Sequence, residues 1–325
     1  MTFILKKYLD IDLFQKYLIP AQESNQFSNY GNAVKMLEER AREMLKIDDS
    51  KAVIATSSGS SAISGIIYAI DRKAGEGSKV ATQSFTFPSN VQGGAIGSLP
   101  VDFDVSLNID VTNPHLIEYS DLVIVTNCFG HLQDIDLILQ TLSDKNVVFD
   151  NAASPYSFWK GTNSCNLGIA SYISLHHTKP IGFGEGGLII IDKKYEKYAR
   201  ASINFGLMDD EPINDRGGNF KMSEVSAAAI LQWWDQFNID DLQQKYLDNY
   251  YNKRYEFGQV EGDLYPHRAD EDDIFFPNCF PFIHQQPMTA ANDEFERKYY
   301  KPVSSQPVTD ALYDRIVCYG ISPND

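Results

Sequence analysis

Lys179, near the middle of the chain, is a lysine whose surroundings favour chemistry at its amine. It lies in the segment SLHHTKP, between an apolar run typical of a strand and a glycine-rich turn. An isolated lysine is most often a surface residue, but no run of solvated charges surrounds this one. A partly desolvated lysine has a lowered pKa, and its amine can then act as a nucleophile and form a Schiff base. Lys179 is therefore a candidate catalytic residue.

Asp150 is a single carboxylate at the end of the apolar run NVVFD, which spans residues 146–150. A carboxylate removed from water needs a hydrogen-bonding or charged partner. Two interpretations stay open at this point. The residue either caps a neighbouring backbone segment or supplies a counter-charge for the ring nitrogen of a cofactor.

A serine-rich segment, SSGSSA at residues 57–62, joins a predicted strand to a predicted helix. The first turn of a helix carries unpaired N–H groups and the positive end of the dipole, and hydroxyl groups add further donors. Residues Ser58 to Ser61 could therefore bind a phosphate, or they could simply cap the helix. No Walker-type lysine follows, which disfavours a nucleoside-triphosphate loop.

Three other patterns lack the context that their chemistry needs. Residues 182–187 match G-x-G-x-x-G, but an apolar strand follows them where a dinucleotide site needs a helix. His176 and His177 would point to opposite faces of an extended segment, which makes them a poor metal pair. The cysteines are too far apart for a zinc site: Cys128, Cys165, Cys279 and Cys318. We therefore expect no metal.

The elements that must position these residues are short strands alternating with helices. Predicted strands span residues 51–58, 79–83, 100–104, 121–127, 146–150, 171–175 and 187–192. Predicted helices span residues 33–47, 61–74, 134–144, 194–204, 222–237 and 239–258. This alternation is typical of an α/β fold with a largely parallel sheet. Ligands bind such sheets at the carboxyl ends of strands, which is where the candidate residues lie.

Both ends of the chain show weaker patterns. Residues before about 35 are polar and aperiodic, and we expect an arm or a loop there. Residues 261–325 mix proline, aspartate and aromatic residues with little periodicity. We expect a large α/β domain over residues 1–237, including the arm, and a small C-terminal α+β domain over residues 238–325.

The composition excludes several classes of protein. The 325 residues include 28 Lys and Arg against 44 Asp and Glu, which gives a net charge of −16. Nonspecific nucleic-acid binding depends on Lys and Arg neutralising phosphates, so it is disfavoured. The N-terminal residues lack a signal-peptide pattern, and the longest apolar runs are too short to span a bilayer. We expect a cytoplasmic protein without a nucleic-acid or membrane partner.

The order of the motifs resembles the DegT/DnrJ/EryC1/StrS family of sugar aminotransferases, which are fold-type-I enzymes that use pyridoxal phosphate. The matching segments are SSGSSA at 57–62, SFTFPSN at 84–90, CFGHLQDID at 128–136, FDNAA at 149–153, SLHHTKPIGFGEGG at 174–187, NFG at 204–206 and GGNFKMSEVSAA at 217–228. They cover about residues 25–237, and KYYKPV at 298–303 and LYDRIVCYG at 312–320 are a weaker echo. No single motif is decisive, but this many in one order is specific.

This resemblance implies a mostly parallel central sheet flanked by helices and a role for each matching residue. Lys179 would carry pyridoxal 5′-phosphate, which alternates with its pyridoxamine form. Asp150 would pair with the protonated ring nitrogen, and Phe87 would stack on the ring. The other expected cofactor contacts are Gly59, Ser60, Ser61 and Ser174, with Asn219 or Lys221 reaching in from a neighbouring subunit. The resemblance thus implies a homodimer with shared active sites.

The resemblance also implies an aminotransferase that moves an amino group, from glutamate by analogy, to a keto group of a nucleotide-linked sugar. Such reactions belong to surface-polysaccharide or deoxyamino-sugar biosynthesis. The chain has Ala153 where the family usually has Gln or His, and Asn127 where His is usual. These departures and a short C-terminal part leave two alternatives open. The acceptor could be a smaller phosphorylated ketone, or the chain could bind a sugar nucleotide without turnover.

Overall fold

A seven-stranded sheet forms the centre of the fold. The computed structural model describes residues 1–71, 77–266 and 274–323. The strands of this sheet are, in chain order, β1 (Lys51–Thr56), β2 (Val80–Gln83), β3 (Leu99–Val101), β4 (Leu122–Thr126), β5 (Asn146–Asp150), β6 (Ala170–Ser174) and β7 (Gly187–Asp192). Their order across the sheet is β1-β7-β6-β5-β4-β2-β3. β7 runs antiparallel to its neighbours β1 and β6, and all other pairs are parallel.

Each predicted strand is present in this sheet, and the largely parallel α/β architecture is confirmed. β5 and β7 have the predicted bounds. β1 ends at Thr56 rather than at residue 58, because Ser58 already caps the next helix. Every residue of β1 and β4 is buried. Continuous apolar runs of this kind are expected where helices cover both faces of a parallel sheet.

The helices of the described residues agree with most of the sequence predictions. They are α1 (Ile11–Ser24), α2 (Asn32–Met44), α3 (Gly59–Ile70), α4 (Pro114–Tyr119), α5 (Ile135–Thr141), α6 (Glu196–Ser202), α7 (Glu224–Trp234), α8 (Ile239–Glu256) and α9 (Pro307–Arg315). α3 begins two residues before the predicted start, and residues 72–74 of that prediction lie outside the described residues. None of the helices in the described part of the chain has the length and apolar character that crossing a membrane requires.

Helix α1 corrects the prediction that the residues before about 35 form only an arm or a loop. The Asp10 carboxylate accepts a hydrogen bond from the Leu13 N–H and caps the helix. Only Tyr17 and Ala21 of α1 are buried, so its apolar face is too narrow to give a helical period in the sequence. Pro20, inside the helix, disfavours it further. The helix forms nevertheless, because it packs against α2 and α7.

A second, antiparallel sheet follows α8. Its strands are β8 (Gly262–Leu264), β9 (Phe280–His284), β10 (Glu296–Arg297) and β11 (Ile316–Tyr319), in the order β8-β9-β11-β10. With α9 it forms the expected smaller α+β part of the fold. Two short ladders complete the architecture: Phe158–Trp159 with Thr162–Asn163, and Leu207–Met208 with Glu211–Pro212. The domain boundary at residues 237/238 lies between α7 and α8 and stays a prediction.

The topology brings several sequence motifs to one edge of the central sheet. β1, β5 and β6 run in the same direction, so their carboxyl ends share that edge. Gly187, the first residue of the antiparallel β7, pairs with Thr56 on one side and Ser174 on the other. The serine-rich segment after β1, the aspartate ending β5 and the lysine loop between β6 and β7 therefore meet.

Candidate active site

The start of α3 forms a cup of backbone N–H groups. The Ser58 hydroxyl accepts a hydrogen bond from the Ser61 N–H at 3.1 Å. The N–H groups of Gly59 and Ser60 have no partner among the described residues, as is usual in the first turn of a helix. A Cβ added to Gly59 would lie 3.2 Å from the Ser174 Cβ, so the absence of a side chain lets the helix approach the end of β6. The cup thus combines free amides, hydroxyls and a helix dipole, which suits a phosphate.

Asp150 is 2% exposed, and neutral donors hold its carboxylate in place. Oδ2 accepts hydrogen bonds from the Asn90 amide at 2.9 Å and the Thr126 hydroxyl at 3.2 Å. Oδ1 accepts one from the Ala152 N–H at 3.0 Å. Behind this group, the Tyr172 hydroxyl donates to Asn90 Oδ1 at 2.7 Å and fixes the amide orientation. The residue accepts from a nearby backbone N–H, as the capping interpretation expected, and it lines the cavity; its role as a counter-charge for a ring nitrogen stays a prediction.

The loop between β6 and β7 carries Lys179. The Lys179 N–H donates to the His176 carbonyl at 2.8 Å, and the Gly182 N–H donates to the Lys179 carbonyl at 3.0 Å. A Cβ on Gly182 would lie 2.2 Å from the His176 oxygen, so this tight loop needs a glycine there. Removal from water lowers the pKa of the Lys179 amine, while the negative charge of Asp150 opposes that shift. Lys179 therefore has the desolvated amine that the sequence predicted.

A cavity of about 380 Å³ joins these groups. Six of the predicted site residues line it: Gly59, Ser60, Phe87, Asp150, Ser174 and Lys179. Phe87 is 54% exposed although it is a large apolar residue, which is consistent with a ring that covers a ligand. The volume lies in the usual range for small-molecule sites.

The structure does not bring the other three predicted residues to this cavity. The Ser61 hydroxyl lies 2.9 Å from the Ser57 hydroxyl and 3.0 Å from the Ser58 hydroxyl, so it supports the cup without lining it. Asn219 is exposed. Lys221 Nζ donates to Asn204 Oδ1 at 2.6 Å. Because Asn219 and Lys221 were assigned to a neighbouring subunit's site, their roles stay predictions.

Residues from both ends of the chain also line the cavity, and the sequence alone assigned none of them to the site. They include Phe3, Ile4, Cys279, Arg297, Tyr299 and Tyr300. Tyr300 is stacked on Phe129 with ring centroids 5.2 Å apart. The KYYKPV segment, noted only as a weak echo, was the one signal that pointed to the two tyrosines.

His176, Thr178 and Glu185 form a polar group in the same wall. His176 Nδ1 lies 2.8 Å from the Thr178 hydroxyl, and Nε2 lies 3.4 Å from Glu185 Oε1. The sequence had weighed His176 only as a poor metal ligand. Its contacts instead give the cavity a hydrogen-bonding edge.

The donor set fits pyridoxal phosphate. The amide cup suits its phosphate, and the desolvated Lys179 amine suits its aldehyde. The Asp150 carboxylate forms no salt bridge with any described residue, so a buried negative charge is left for a cation such as a protonated ring nitrogen.

Comparison with known proteins also indicates an aminotransferase. The sequence model of the DegT/DnrJ/EryC1/StrS aminotransferase family matches residues 10–315. The chain is 26% identical over 326 residues to dTDP-4-amino-4,6-dideoxy-D-glucose transaminase from Shigella dysenteriae, and the match covers 90% of this chain and 82% of that protein.

Two solved structures share the fold. DesI, solved in the presence of its TDP-sugar product, is 20% identical with a TM-score of 0.80, covering 98% of this chain and 87% of DesI. Helicobacter pylori PseC, an aminotransferase of pseudoaminic acid biosynthesis, is 16% identical with a TM-score of 0.81, covering 98% of this chain and 92% of PseC.

Proposed function

The chain belongs to the DegT/DnrJ/EryC1/StrS aminotransferase family and is a pyridoxal-phosphate-dependent aminotransferase, and from this premise we propose that it transfers the amino group of glutamate to a keto group of a nucleotide-linked sugar. The observation that carries the proposal is the meeting of Lys179, Asp150 and the α3 amide cup in one cavity. The names of the Shigella dysenteriae relative and of DesI support a sugar nucleotide as the acceptor.

Each part of the cavity has a separate task in this proposal. The Gly59 and Ser60 amides and the Ser174 hydroxyl hold the phosphate of the cofactor, and Phe87 covers the ring face. Asp150 keeps a proton on the ring nitrogen, because a nearby opposite charge favours the charged form. When bound, pyridoxal phosphate supplies an electron sink that stabilises negative charge at the α-carbon of the amino donor.

Lys179 has two roles that its lowered pKa permits. Its amine holds the cofactor covalently before the donor arrives. Once displaced, Lys179 Nζ takes the proton from the donor's α-carbon and later returns it, as a general base and acid. An ordinary lysine, with a pKa near 10.4, would be almost fully protonated at neutral pH and a poor base. Burial lowers the pKa of Lys179 from that value, which favours the neutral amine that this role needs.

Arg297 is the group that we assign to the donor's carboxylate. It lines the cavity, and its Nε and Nη1 atoms donate to the Asp293 carbonyl and the Tyr299 hydroxyl at 2.8 and 2.9 Å. The guanidinium forms no salt bridge with an acidic side chain in the part of the chain that the structure describes. A fixed guanidinium of this kind suits a carboxylate.

The active unit in this proposal is a homodimer of the cytoplasm. Asn219 is exposed and can reach a second copy of the chain, whereas Lys221 is half-buried and would have to release its hydrogen bond to Asn204 to do so. Phe205, over which the Lys221 ammonium lies at 4.8 Å, is 60% exposed and would be covered in such a dimer. All four cysteines are free and buried, in keeping with a reducing compartment.

The test starts from the half-reaction with glutamate. The wild-type protein should link pyridoxal phosphate covalently, and addition of glutamate should release 2-oxoglutarate. Lys179→Ala should abolish both, whereas Lys197→Ala, which changes an exposed lysine of α6, should leave both unchanged. Covalent linkage in Lys179→Ala would refute the assignment.

The acceptor is then identified by offering the aminated protein nucleotide-linked keto sugars and small keto phosphates in parallel. Faster transfer to the nucleotide-linked sugars supports the proposal. Transfer only to small keto phosphates would show that the acceptor is a small keto phosphate and not a nucleotide-linked sugar. If neither glutamate nor any other amino acid gives a half-reaction, the result would favour a noncatalytic binding protein.

A further inference from the structure

Lys7, in the segment before α1, contacts the loop that carries Lys179. Its ammonium donates to the carbonyl oxygens of His177 at 2.7 Å, Lys179 at 2.6 Å and Gly182 at 2.6 Å. A lysine ammonium has three N–H donors, so these three carbonyls use all of them. Burial lowers the pKa of Lys7 to about 7, because the surrounding protein keeps water away from its ammonium group.

Helix α7 holds the same loop with two indole groups. Trp233 Nε1 donates to the Pro180 carbonyl at 3.1 Å, and Trp234 Nε1 donates to the Ile181 carbonyl at 2.7 Å. Lys7 Nζ lies 5.5 Å from the centre of the Trp233 ring, within the range of a cation–π contact. Five carbonyls between residues 177 and 182 therefore accept from just three side chains, and Lys7 supplies three of these hydrogen bonds.

The residues next to Lys7 are themselves fixed on α7 and the region after it. The Asp10 N–H donates to Gln232 Oε1 at 3.0 Å, and the Gln236 amide donates to the Tyr8 carbonyl at 3.3 Å. Leu5, on the other side of Lys7, is 7% exposed and belongs to the large core cluster. The backbone at Lys7 thus has a defined position, and its ammonium reaches the loop from there.

We propose that Lys7 is a positioning residue for the reaction, which holds the loop so that the Lys179 amine stays in the cavity that Asp150 lines. This rests on the proposed function, in which Lys179 is the reacting amine. Without the ammonium, three carbonyls of the loop each lose a hydrogen bond, and among the described residues only the Lys179 carbonyl keeps another, from the Gly182 N–H. The loop can then take other conformations. A displacement of about 1 Å at a reacting atom can lower a rate about 100-fold.

The experiment compares Lys7→Met with Lys6→Met. Both remove one positive charge and keep an unbranched apolar stem, but Lys6 is exposed, and its ammonium lies 5.1 Å from the centre of the Tyr8 ring. Apo protein is mixed with pyridoxal phosphate, and the linkage to Lys179 is trapped with borohydride at set times and measured by peptide mass. Lys7→Met should link about 10–100-fold more slowly than wild type, and Lys6→Met should stay within about twofold.

Amide hydrogen exchange supplies a readout that is independent of the cofactor. In apo Lys7→Met the amides of residues 176–184 should exchange faster, whereas those of β4 and β5 should not change. In loaded protein kcat should fall more than the donor KM rises. Equal linking rates in the two methionine variants, with unchanged loop exchange, would overturn the proposal.

If Lys7→Met accelerates exchange throughout the central sheet, Lys7→Gln and Lys6→Gln replace the methionine pair. The glutamine at position 7 retains two N–H donors, so it should link at a rate between those of wild type and Lys7→Met. A rate equal to that of Lys6→Gln would overturn the proposal. Failure of the proposed function is a separate result, because Lys179→Ala would then still acquire the covalent label.

Discussion

Asp150→Asn should separate turnover from stability, because the substitution keeps the shape of the side chain and removes its charge. Three donors converge on the carboxylate: the Asn90 amide, the Thr126 hydroxyl and the Ala152 N–H. An amide has one acceptor oxygen and one NH2 group, so at least one buried donor loses its partner. That loss costs about 1–3 kcal/mol.

A gain of similar size offsets this cost in the apo protein. The wild-type carboxylate is 2% exposed and forms no salt bridge with any described residue, so its neutralisation relieves a desolvation penalty. The net change in the free energy of unfolding should stay below about 2 kcal/mol, and the melting temperature should move by about 5 °C or less.

Turnover should fall much further. An opposite charge close to a titrating group shifts its pKa by about 1–3 units, and each unit corresponds to about 1.4 kcal/mol. Removal of the carboxylate should therefore slow the glutamate half-reaction about 10–1000-fold, measured by 2-oxoglutarate release from loaded protein.

Asp102→Asn is the matched control for this prediction. The Asp102 carboxylate accepts from the Phe103 N–H and from three groups near the start of α9, the N–H groups of Val308 and Thr309 and the Thr309 hydroxyl. It does not line the cavity. It should lose stability and keep its turnover. A half-reaction rate in Asp150→Asn within twofold of wild type would refute the role of Asp150 at the ring nitrogen.

Three further predictions follow from the same geometry. Arg297→Gln should raise the KM for glutamate about 10–100-fold, because a charged hydrogen bond contributes about 1.5–3 kcal/mol. Arg315→Gln, on α9, is the control. An unchanged KM in Arg297→Gln would contradict the assignment of Arg297 to the donor's carboxylate. Gly187→Ala should weaken binding of pyridoxal phosphate and cost about 1–3 kcal/mol of stability, since the new Cβ would lie 2.4 Å from the Ser58 carbonyl oxygen. Titration with pyridoxal phosphate and thermal melting measure these two effects. Gly258→Ala, which places its Cβ in open space, should leave both binding and stability unchanged. The rate at which apo protein captures pyridoxal phosphate should rise with pH and level off below pH 10.5, because burial lowers the Lys179 pKa. Between the folded and unfolded pKa values of this group the unfolded chain binds the extra proton, so Lys179 also makes the apo protein more stable as pH rises. A capture rate that still climbs at pH 10.5 would show an ordinary lysine.

The central sheet could be predicted because each of its strands has a local signal. Runs such as LIII at 188–191 are apolar throughout, and glycine or polar residues bound them on both sides. The second sheet has no such signal. β9 contains Pro281, β10 has two residues, and both are strands only because they pair with β11. Pairing partners far apart in sequence are a tertiary property that short windows do not record.

The residues of the candidate site also fall into those with a local sequence signal and those without one. Asp150, Ser174 and Lys179 lie at or just after strand ends, so the order of elements already placed them together. Lys7 and Arg297 come from the two ends of the chain, and neither stands in a motif. Their roles depend on contacts across more than a hundred residues, such as the bond between Lys7 Nζ and the Lys179 carbonyl. A single sequence gives no measure of such contacts.

The two departures from the family pattern have different consequences in the structure. Asn127 is fully buried and does not line the cavity; its amide donates to Asn151 Oδ1 at 2.7 Å, and its oxygen accepts from the Gln133 N–H at 3.4 Å. Asn127 therefore stabilises residues that lie outside the cavity lining. Ala153 does line the cavity and has no polar atom in its side chain. Because the family usually places a hydrogen-bonding side chain at that position, the choice of acceptor should depend on Ala153 and not on Asn127.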